Sequence, residues 1–307
     1  MSVAQERLSA PVAKAWYAPE QLTERISGLA LHVAIIGITV AWLVPTVGLF
    51  VSSFRSLGDI QASGWWSALS PPFRFTLDNY SSVIQTNGLG TALLNSFTIT
   101  IPATIIPTTI AAFAAYAFSW MRFPFRNWIF LALVGLLVVP LQVTFIPLLS
   151  MFRALGDMTG GFIGNGTFPA VWLAHTGYGL PFSIYLLSNF FRALPSDLFE
   201  SAEIDGAGTL TVFFRIILPL SVPALASLVI FQFLWVWNDL LVALIYLGGT
   251  EQVAPLTVKI TSLVNSLGQG YQLLTAAAFL SMIVPLIVFF SLQRFFVRGI
   301  LAGSVKG

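Results

Sequence analysis

Long apolar stretches, separated by short polar segments, dominate the pattern of this 307-residue chain. A helix that crosses a bilayer needs about 20 predominantly apolar residues, and six stretches reach that length. They are residues 29–50, 93–120, 128–151, 168–191, 220–247 and 273–293. Such runs lack the strict alternation of outer-membrane barrel strands. The pattern therefore predicts an all-α integral membrane protein with six transmembrane helices.

The composition indicates the same class. Only 8% of the residues are charged and 57% are hydrophobic, whereas soluble proteins carry roughly 25% charged residues. A soluble enzyme of this size would need far more polar surface to cover its core. The formal net charge of +2 is too small for an electrostatic binder of nucleic acid. The lipid bilayer is thus the expected environment.

The basic residues indicate the orientation of the chain. If both termini are cytoplasmic, the inner segments hold 10 of the 14 Lys and Arg residues and the outer segments hold 4. The side richer in these residues stays inside. The chain then comprises a cytoplasmic N-terminal segment, 1–28, and a six-span domain, 29–307. Within that domain we predict an extracytoplasmic segment at 51–92, a cytoplasmic loop at 192–219 and a cytoplasmic tail at 294–307.

Several residue patterns that catalysis would need are missing. A phosphate-binding loop has Gly directly before Lys, but the three lysines follow Ala13, Val258 and Val305. The two histidines, His32 and His175, lie on different predicted spans, which excludes a paired His metal site. The chain also has no cysteine. We therefore predict no catalytic residue, no cofactor-binding residue and no metal ligand.

The loop between the fourth and fifth spans predicts two short helices. The first opens at Ser196, where acidic residues three apart resemble a capping box, and it stops at Gly206, since glycine adopts the left-handed conformation of a helix end. The second, capped by Thr209 or Thr211, runs to Pro219. Two interpretations are open: a solvated surface loop, or a rigid plug for a groove on a cytoplasmic partner.

The same loop carries a recognisable motif. Glu200-Ser201-Ala202, Gly206 and the run 216–219 resemble the EAA motif of bacterial ABC importer permeases, with Ser201 in place of the first alanine. The run 235–239 and the C-terminal residues 293–307 are similar to those of maltose-type permeases. The chain thus resembles the second, six-span permease of carbohydrate importers. This resemblance implies the ABC importer type I permease fold, with a cytoplasmic coupling elbow between spans four and five.

The resemblance also implies partners in a bacterial inner membrane. These are a second permease that forms a heterodimer with this chain, two cytoplasmic ATP-binding cassette subunits, and an extracytoplasmic sugar-binding protein. ATP and Mg would belong to the ATPase subunits, so this chain would bind no cofactor and would not be an enzyme. The implied ATPase-coupling residues are Glu200, Ala202, Asp205, Gly206 and Pro219, and the implied tail contacts are Val305, Lys306 and Gly307.

Asp239 is the one carboxylate inside a predicted span. A charge at that depth costs about 3 kcal/mol on insertion scales, so it usually faces a cavity or a partner. One interpretation makes it an interfacial anchor beside Trp235 and Trp237. The other places Trp237, Asn238 and Asp239 on the pore, where an aromatic face and fixed polar groups suit a sugar. The sequence suggests no partner for His175, for which we expect a structural role.

The sequence therefore predicts the permease subunit of an ATP-dependent sugar importer. The run Ser63-Gly64-Trp65-Trp66 resembles α-glucoside permeases, which favours an oligosaccharide or α-glucoside as substrate. Import of another glycoside or of a polyol is the alternative within this class. A membrane-embedded enzyme or an ion-coupled secondary carrier is the alternative outside it. A carrier usually has coupling carboxylates in several spans, and here only Asp239 is available.

Overall fold

The computed structural model describes residues 18–85, 88–264 and 270–304, with the backbone alone at 18–29 and 295–304. Every regular element in these ranges is helical. The α-helices are α1 (Ala18–Ser53), α2 (Leu57–Ala62), α3 (Asp78–Gln85), α4 (Leu89–Trp120), α5 (Arg126–Gly135), α6 (Phe145–Met158), α7 (Phe168–Arg192), α8 (Asp197–Ile204), α9 (Thr209–Val212), α10 (Leu218–Leu220), α11 (Val222–Trp237), α12 (Leu241–Leu247), α13 (Leu256–Thr261) and α14 (Tyr271–Ser304). The predicted tail contacts lie outside the described residues: Val305, Lys306 and Gly307.

Three helices in the described ranges are long and apolar enough to cross a membrane: Ala30–Ser53 within α1, the whole of α4, and Tyr271–Arg294 within α14. Two pairs of bent helices raise the number to five if each pair counts as one span. Helix α7, with 25 residues, covers the predicted fourth span but is not among these five. The number of six spans therefore stays a prediction.

The predicted third span is not one continuous helix. Helix α5 ends at Gly135, two 3₁₀ turns follow up to Thr144, and the chain changes direction by 99° between the two halves. Pro140 lies at the break, and a proline has no N–H to donate to a helical ladder. The prediction of an unbroken helix over 128–151 was wrong, because hydropathy shows how apolar a segment is and not where its hydrogen bonds stop.

The predicted fifth span, 220–247, is also interrupted. The chain bends by 74° at Ser221, where α10 meets α11. Helix α11 then ends at Trp237, and α12 begins at Leu241. The prediction of one helix was wrong here too, because Asp239 in the gap binds backbone N–H groups and so competes with a continuous helix.

The segment after α1, predicted as extracytoplasmic, folds back on the end of that helix. The buried Asn79 side chain donates to the carbonyls of Ser53 at 2.8 Å and Arg55 at 2.9 Å. The Arg55 side chain, only 3% exposed, donates to the Asp59 carbonyl at 2.6 Å. Because buried polar groups need such partners, these bonds hold α2 and α3 over the end of α1.

Small side chains bring α4 and α7 together. Ala103, Ala111 and Ala115 on α4 and Ala170 and Ala174 on α7 are at most 1% exposed. Within a membrane, small residues let helix backbones approach closely, and van der Waals packing then stabilises the pair. The α4–α7 pair is therefore the rigid centre of the bundle.

Gln232 attaches α11 to this pair. Its side chain is 3% exposed, and its Nε2 donates to the Ala103 carbonyl of α4 at 3.2 Å. The same amide lies on Gly179 of α7, where a Cβ atom would stand 2.6 Å from Nε2. The absence of a side chain at Gly179 is what lets Gln232 reach α4.

We expect Gly179→Ala to lower the melting temperature of the purified protein in detergent. The new methyl group would displace the Gln232 side chain, and overpacking of this kind costs about 1–3 kcal/mol. The matched control is Gly177→Ala on the same helix, where a Cβ meets no atom within 4 Å. Alanine favours a helix over glycine by about 1 kcal/mol, so the control should melt at the same temperature or slightly higher. Equal melting temperatures for the two variants would show that Gln232 moves aside without cost.

Candidate functional site

Residues 193–220, between α7 and α11, form a segment that we call the acidic loop. Its first helix, α8, ends in a Schellman motif: the Ala207 N–H donates to the Ala202 carbonyl at 2.9 Å and the Gly206 N–H donates to the Glu203 carbonyl at 3.0 Å. Gly206 has a φ of +74°, which glycine adopts without the steric cost that a Cβ brings. Gly206 thus ends the helix, as predicted.

The predicted caps of the two helices were wrong. Ser196 precedes α8, but its hydroxyl makes no capping bond, because its backbone is already helical instead of extended as a capping residue requires. The predicted capping box pairs Asp197 with Glu200, but Asp197 is already the first residue of α8 and not its cap, so the box does not form. Gly208 occupies the cap position of α9, and Thr209 is already its first helical residue. Neither Thr209 nor Thr211 is the cap.

The second helical segment of the acidic loop continues one residue beyond its predicted end at Pro219. Helix α9 leads into a π turn at Phe213–Ile217 and then into α10. A π turn accommodates an extra residue in the helical ladder, and here it ends two residues before Pro219, which has no N–H to donate. The chain reaches Leu220 before it bends.

Acidic and apolar side chains share the outer surface of the acidic loop. The exposed acids are Asp197, Glu200, Glu203 and Asp205. The exposed large apolar side chains, between 41% and 86% exposed, are Leu198, Ile204, Leu210, Phe214 and Leu220. Ala202 is instead 7% exposed and packs among Val212 and Phe213. Of the five predicted coupling residues, Ala202 holds the loop together, and the exposed ones are Glu200, Asp205, Gly206 and Pro219.

The acidic loop is firmly attached to the α4–α7 pair. The Trp120 ring stacks on Phe199 of α8 with 3.6 Å between ring centroids. The Trp120 Nε1 donates to the Phe191 carbonyl at 3.0 Å, and the Tyr116 hydroxyl donates to the Thr209 carbonyl at 3.2 Å. The ring stacking and the Tyr116 bond connect the loop to α4, and the Trp120 Nε1 bond connects the same end of α4 to the end of α7, from which the loop continues.

Asp239 lies in the gap between α11 and α12 and caps α12. Its carboxylate accepts from the Val242 N–H at 3.4 Å and the Ala243 N–H at 3.0 Å. The His175 Nε2 of α7 lies 3.8 Å from the Asp239 Oδ2, and the His175 side chain is 1% exposed. Sequence reasoning missed this pair. The signal that could have found it is that each residue is the one ionisable group of its predicted span.

The predicted pore residues occupy different environments. Trp237 is 3% exposed and packs against Phe97 and Phe233. Asn238 is exposed, and its Nδ2 donates to the Leu234 carbonyl at 2.8 Å. An aromatic belt made of Trp235 and Trp237 is contradicted for Trp237, because a belt residue would need an exposed ring.

Comparison with known proteins identifies relatives along most of the chain. Residues 107–302 match the family described as binding-protein-dependent transport system inner membrane component. The osmoprotective compounds uptake permease protein GgtD of Synechocystis sp. is 56% identical over 287 residues, which is 92% of this chain and 94% of the relative. The alpha-glucoside transport system permease protein AglG of Rhizobium meliloti is 51% identical over 261 residues, 83% of this chain and 68% of the relative.

A solved structure has the same fold. A chain of a bacterial ABC transporter involved in the import of the acidic polysaccharide alginate aligns with a TM-score of 0.74 at 21% identity. The alignment covers 89% of this chain and 98% of that chain.

We expect Asp239→Ala to loosen the start of α12. Loss of a capping side chain costs about 1 kcal/mol, and the freed Val242 and Ala243 N–H groups should exchange with deuterium faster. Asp239→Asn is the control, since its amide oxygen still accepts one bond. Mass spectrometry of peptides that cover 241–247 measures the difference. Identical exchange in the wild type and in both variants would show that the cap does not hold α12.

Proposed function

The chain belongs to the family of binding-protein-dependent transport system inner membrane components, and we propose that it forms, with a second permease, the pore of an ATP-dependent sugar importer. It is a carbohydrate ABC importer permease, the non-catalytic membrane component of its transporter. One observation carries this conclusion: two permeases are 56% and 51% identical over 92% and 83% of the chain.

The proposed substrate is an α-glucoside or another oligosaccharide. The α-glucoside permease that is 51% identical supports it, as does the run Ser63–Trp66 near the start of the predicted extracytoplasmic segment. A second candidate, a glycoside or polyol that serves as an osmoprotectant, is favoured by the relative that is 56% identical. Both are neutral polyhydroxyl compounds, so one pore chemistry suits both.

The proposed assembly has five subunits: this chain, a second permease, two ATPase subunits and an extracytoplasmic binding protein. The family description itself names dependence on a binding protein. ATP and Mg would be used by the ATPase subunits, and this chain would bind neither.

The acidic loop is the proposed contact with the ATPase subunits. Its exposed acids and apolar side chains make it a mixed surface of the kind that protein interfaces bury, and Ala202 keeps α8 against α9 so that the surface is rigid. Its attachment through Trp120 and Tyr116 would pass a movement of the ATPase subunits on to α4 and α7. Rigid-body rocking of helices around a central site is a common way to alternate access.

The proposed topology has six spans with both termini and the acidic loop in the cytoplasm of a bacterial cell. The distribution of basic residues supports this orientation. An ion-coupled carrier is disfavoured because Asp239, the one carboxylate in the predicted spans, is already engaged in capping α12.

The first experiment reconstitutes the full complex in proteoliposomes. We expect ATP hydrolysis to rise several-fold when binding protein loaded with maltose, trehalose, sucrose or sorbitol is added, with uptake of the same compound. The sugar that stimulates hydrolysis identifies the substrate. Uptake that follows an ion gradient without any co-purifying ATPase subunit would instead identify a carrier.

We expect Glu200→Lys to reduce co-purification of the ATPase subunits by about tenfold, because it reverses a charge at the centre of the proposed contact and an interfacial charge of the wrong sign costs several kcal/mol. The matched control is Asp157→Lys, the same reversal at an exposed position near the end of α6, far from the acidic loop. Normal co-purification of the Glu200→Lys complex, with both variants inserted in the membrane, would contradict the docking proposal.

A further inference from the structure

A groove runs between α7 and α11 on the outside of the bundle. It consists of two adjoining cavities of about 390 Å³ and 290 Å³, and both are lined by Tyr178 of α7 and Trp235 of α11. Cavities of this size suit small organic ligands, and together they have room for more than one sugar ring.

Aromatic side chains form the walls of this groove. Phe231 and Trp235 stand one helical turn apart on α11 and are 44% and 40% exposed, and Phe182 on α7 is 42% exposed. The Trp235 ring is positioned by the edge of His175, with 5.9 Å between ring centroids. Gly177 lines the α7 side, and a Cβ atom there would meet no other atom within 4 Å, so no side chain fills the space at this position beside the Trp235 ring.

Polar groups lie at fixed places beside these rings. The Tyr178 hydroxyl forms hydrogen bonds with the Thr144 hydroxyl at 2.6 Å and with the Tyr246 hydroxyl at 3.0 Å. Gln232 also lines the groove. The Thr144 hydroxyl donates to the Leu141 carbonyl at 2.6 Å, so the Tyr178 hydroxyl donates to Thr144 and accepts from Tyr246. The Thr144 and Tyr178 oxygens each keep a lone pair that can accept from a sugar hydroxyl.

The backbone of the broken third segment also lines the groove. Leu136, Val139 and Leu141, on both sides of Pro140, belong to its wall. A helix that ends leaves its last carbonyl groups without intrahelical donors. At membrane depth such backbone is tolerated only against protein or against a water-filled cavity. The break therefore indicates that water or protein, and not lipid, covers this part of the groove.

The exposed surface of α1 differs from the groove in composition. Between Leu31 and Phe50 the exposed large side chains of α1 are almost all aliphatic, with Trp42 and Phe50 as the exceptions. Such a surface is typical of lipid contact. The groove is also largely aliphatic on the side of the broken third segment, but it adds aromatic faces, hydroxyl groups and an amide, and no Asp, Glu, Lys or Arg lines it. Its ligand should be neutral, with both an apolar face and hydroxyl groups.

We propose that the α7–α11 groove binds a glucosyl ring of the transported sugar, with the apolar face of the ring on Trp235 and its hydroxyl groups at Tyr178 and Thr144. This assignment rests on the proposed function as a sugar permease. It places substrate contact on Trp235 in preference to its buried neighbour Trp237.

The chain has no cysteine, so single cysteines can test the groove directly in the full complex. Gly177→Cys lies in the groove and Gly37→Cys lies on α1, and at both exposed glycines a Cβ meets no atom within 4 Å. The thiolate is the reactive form of the cysteine, and it forms in water and not in lipid. It attacks a charged methanethiosulfonate reagent, which forms a mixed disulfide and releases methanesulfinate. We expect the reagent to modify Gly177→Cys and to leave Gly37→Cys unmodified, as judged by the mass of this subunit.

The sugar is then tested by protection. During turnover with ATP and binding protein, maltose, trehalose or sucrose should slow modification of Gly177→Cys at least about threefold, and the additional change Trp235→Ala should abolish this protection. No modification of Gly177→Cys would mean that lipid or a helix of another subunit covers the groove, and would overturn the proposal. Modification that none of the three sugars slows would also overturn the proposal. Protection by glycine betaine alone would overturn it too, because a quaternary ammonium ion also binds aromatic faces and the ligand would then not be a sugar.

Transport by ring variants provides a second measurement. Trp235→Ala should lower the initial rate of uptake about tenfold, since each tenfold change corresponds to 1.4 kcal/mol and aromatic contacts are of that order. Trp235→Phe should restore a large part of the rate, and Trp42→Ala, which removes an exposed ring of α1, should not change it. If the wild-type complex imports sugar on ATP but Trp235→Ala does so equally well, the proposed function stands and the groove assignment fails. If the wild-type complex shows no ATP-driven uptake, the proposed function fails first.

Discussion

Every backbone N–H and C=O group at membrane depth needs a hydrogen-bond partner, because hydrocarbon offers none. Two predicted spans of this chain break nevertheless, and each break meets the requirement differently. In the fifth, the Asp239 carboxylate accepts from the first N–H groups of α12. In the third, short turns around Pro140 supply partners: the Leu136 and Pro140 carbonyls accept from the Val139 and Val143 N–H groups, and the same chain lines a groove. The need for backbone hydrogen-bond partners thus accounts for Asp239 at one break, and it bears on the groove at the other.

The groove and the acidic loop share the same supports. The α4–α7 pair is held by alanine contacts, and Gln232 attaches α11 to it. The acidic loop is bound to the far ends of α4 and α7 through Trp120 and Tyr116, while the groove lies between α7 and α11. A rigid pair that touches both regions offers a physical route by which a displacement at one changes the width of the other. Rigid elements with discrete arrangements are what such coupling needs.

The sequence was sufficient to predict the class of fold and the end of α8 at Gly206. Long apolar runs mark the helices because burial in lipid needs them, and Gly206 marks a helix end because a φ of +74° suits glycine alone. The breaks were not predicted, since proline is common in membrane helices and Pro140 by itself decides nothing. The contact of His175 with Asp239 was missed because it joins two residues 64 positions apart in sequence, and only the rarity of ionisable groups in the predicted spans points to it. The groove at Trp235 depends on the direction of side chains around a helix that is apolar on all sides, which periodicity does not resolve.

In the EAA-like run, residues 200–202, one side chain is buried in the fold and two are exposed. Ala202 is 7% exposed beneath α8 and packs on Val212, so a larger side chain there would push α8 away from α9. Ser201 is exposed, and its hydroxyl donates to the Asp197 carbonyl at 2.7 Å within the same helix, which explains why serine can replace alanine at that position. The Glu200 side chain is exposed as well, so packing sets no demand on its size. Glu200 lies in the first turn of α8, where an acid suits the positive end of the helix dipole, and its exposed carboxylate is placed for the contact with the ATPase subunits that we propose.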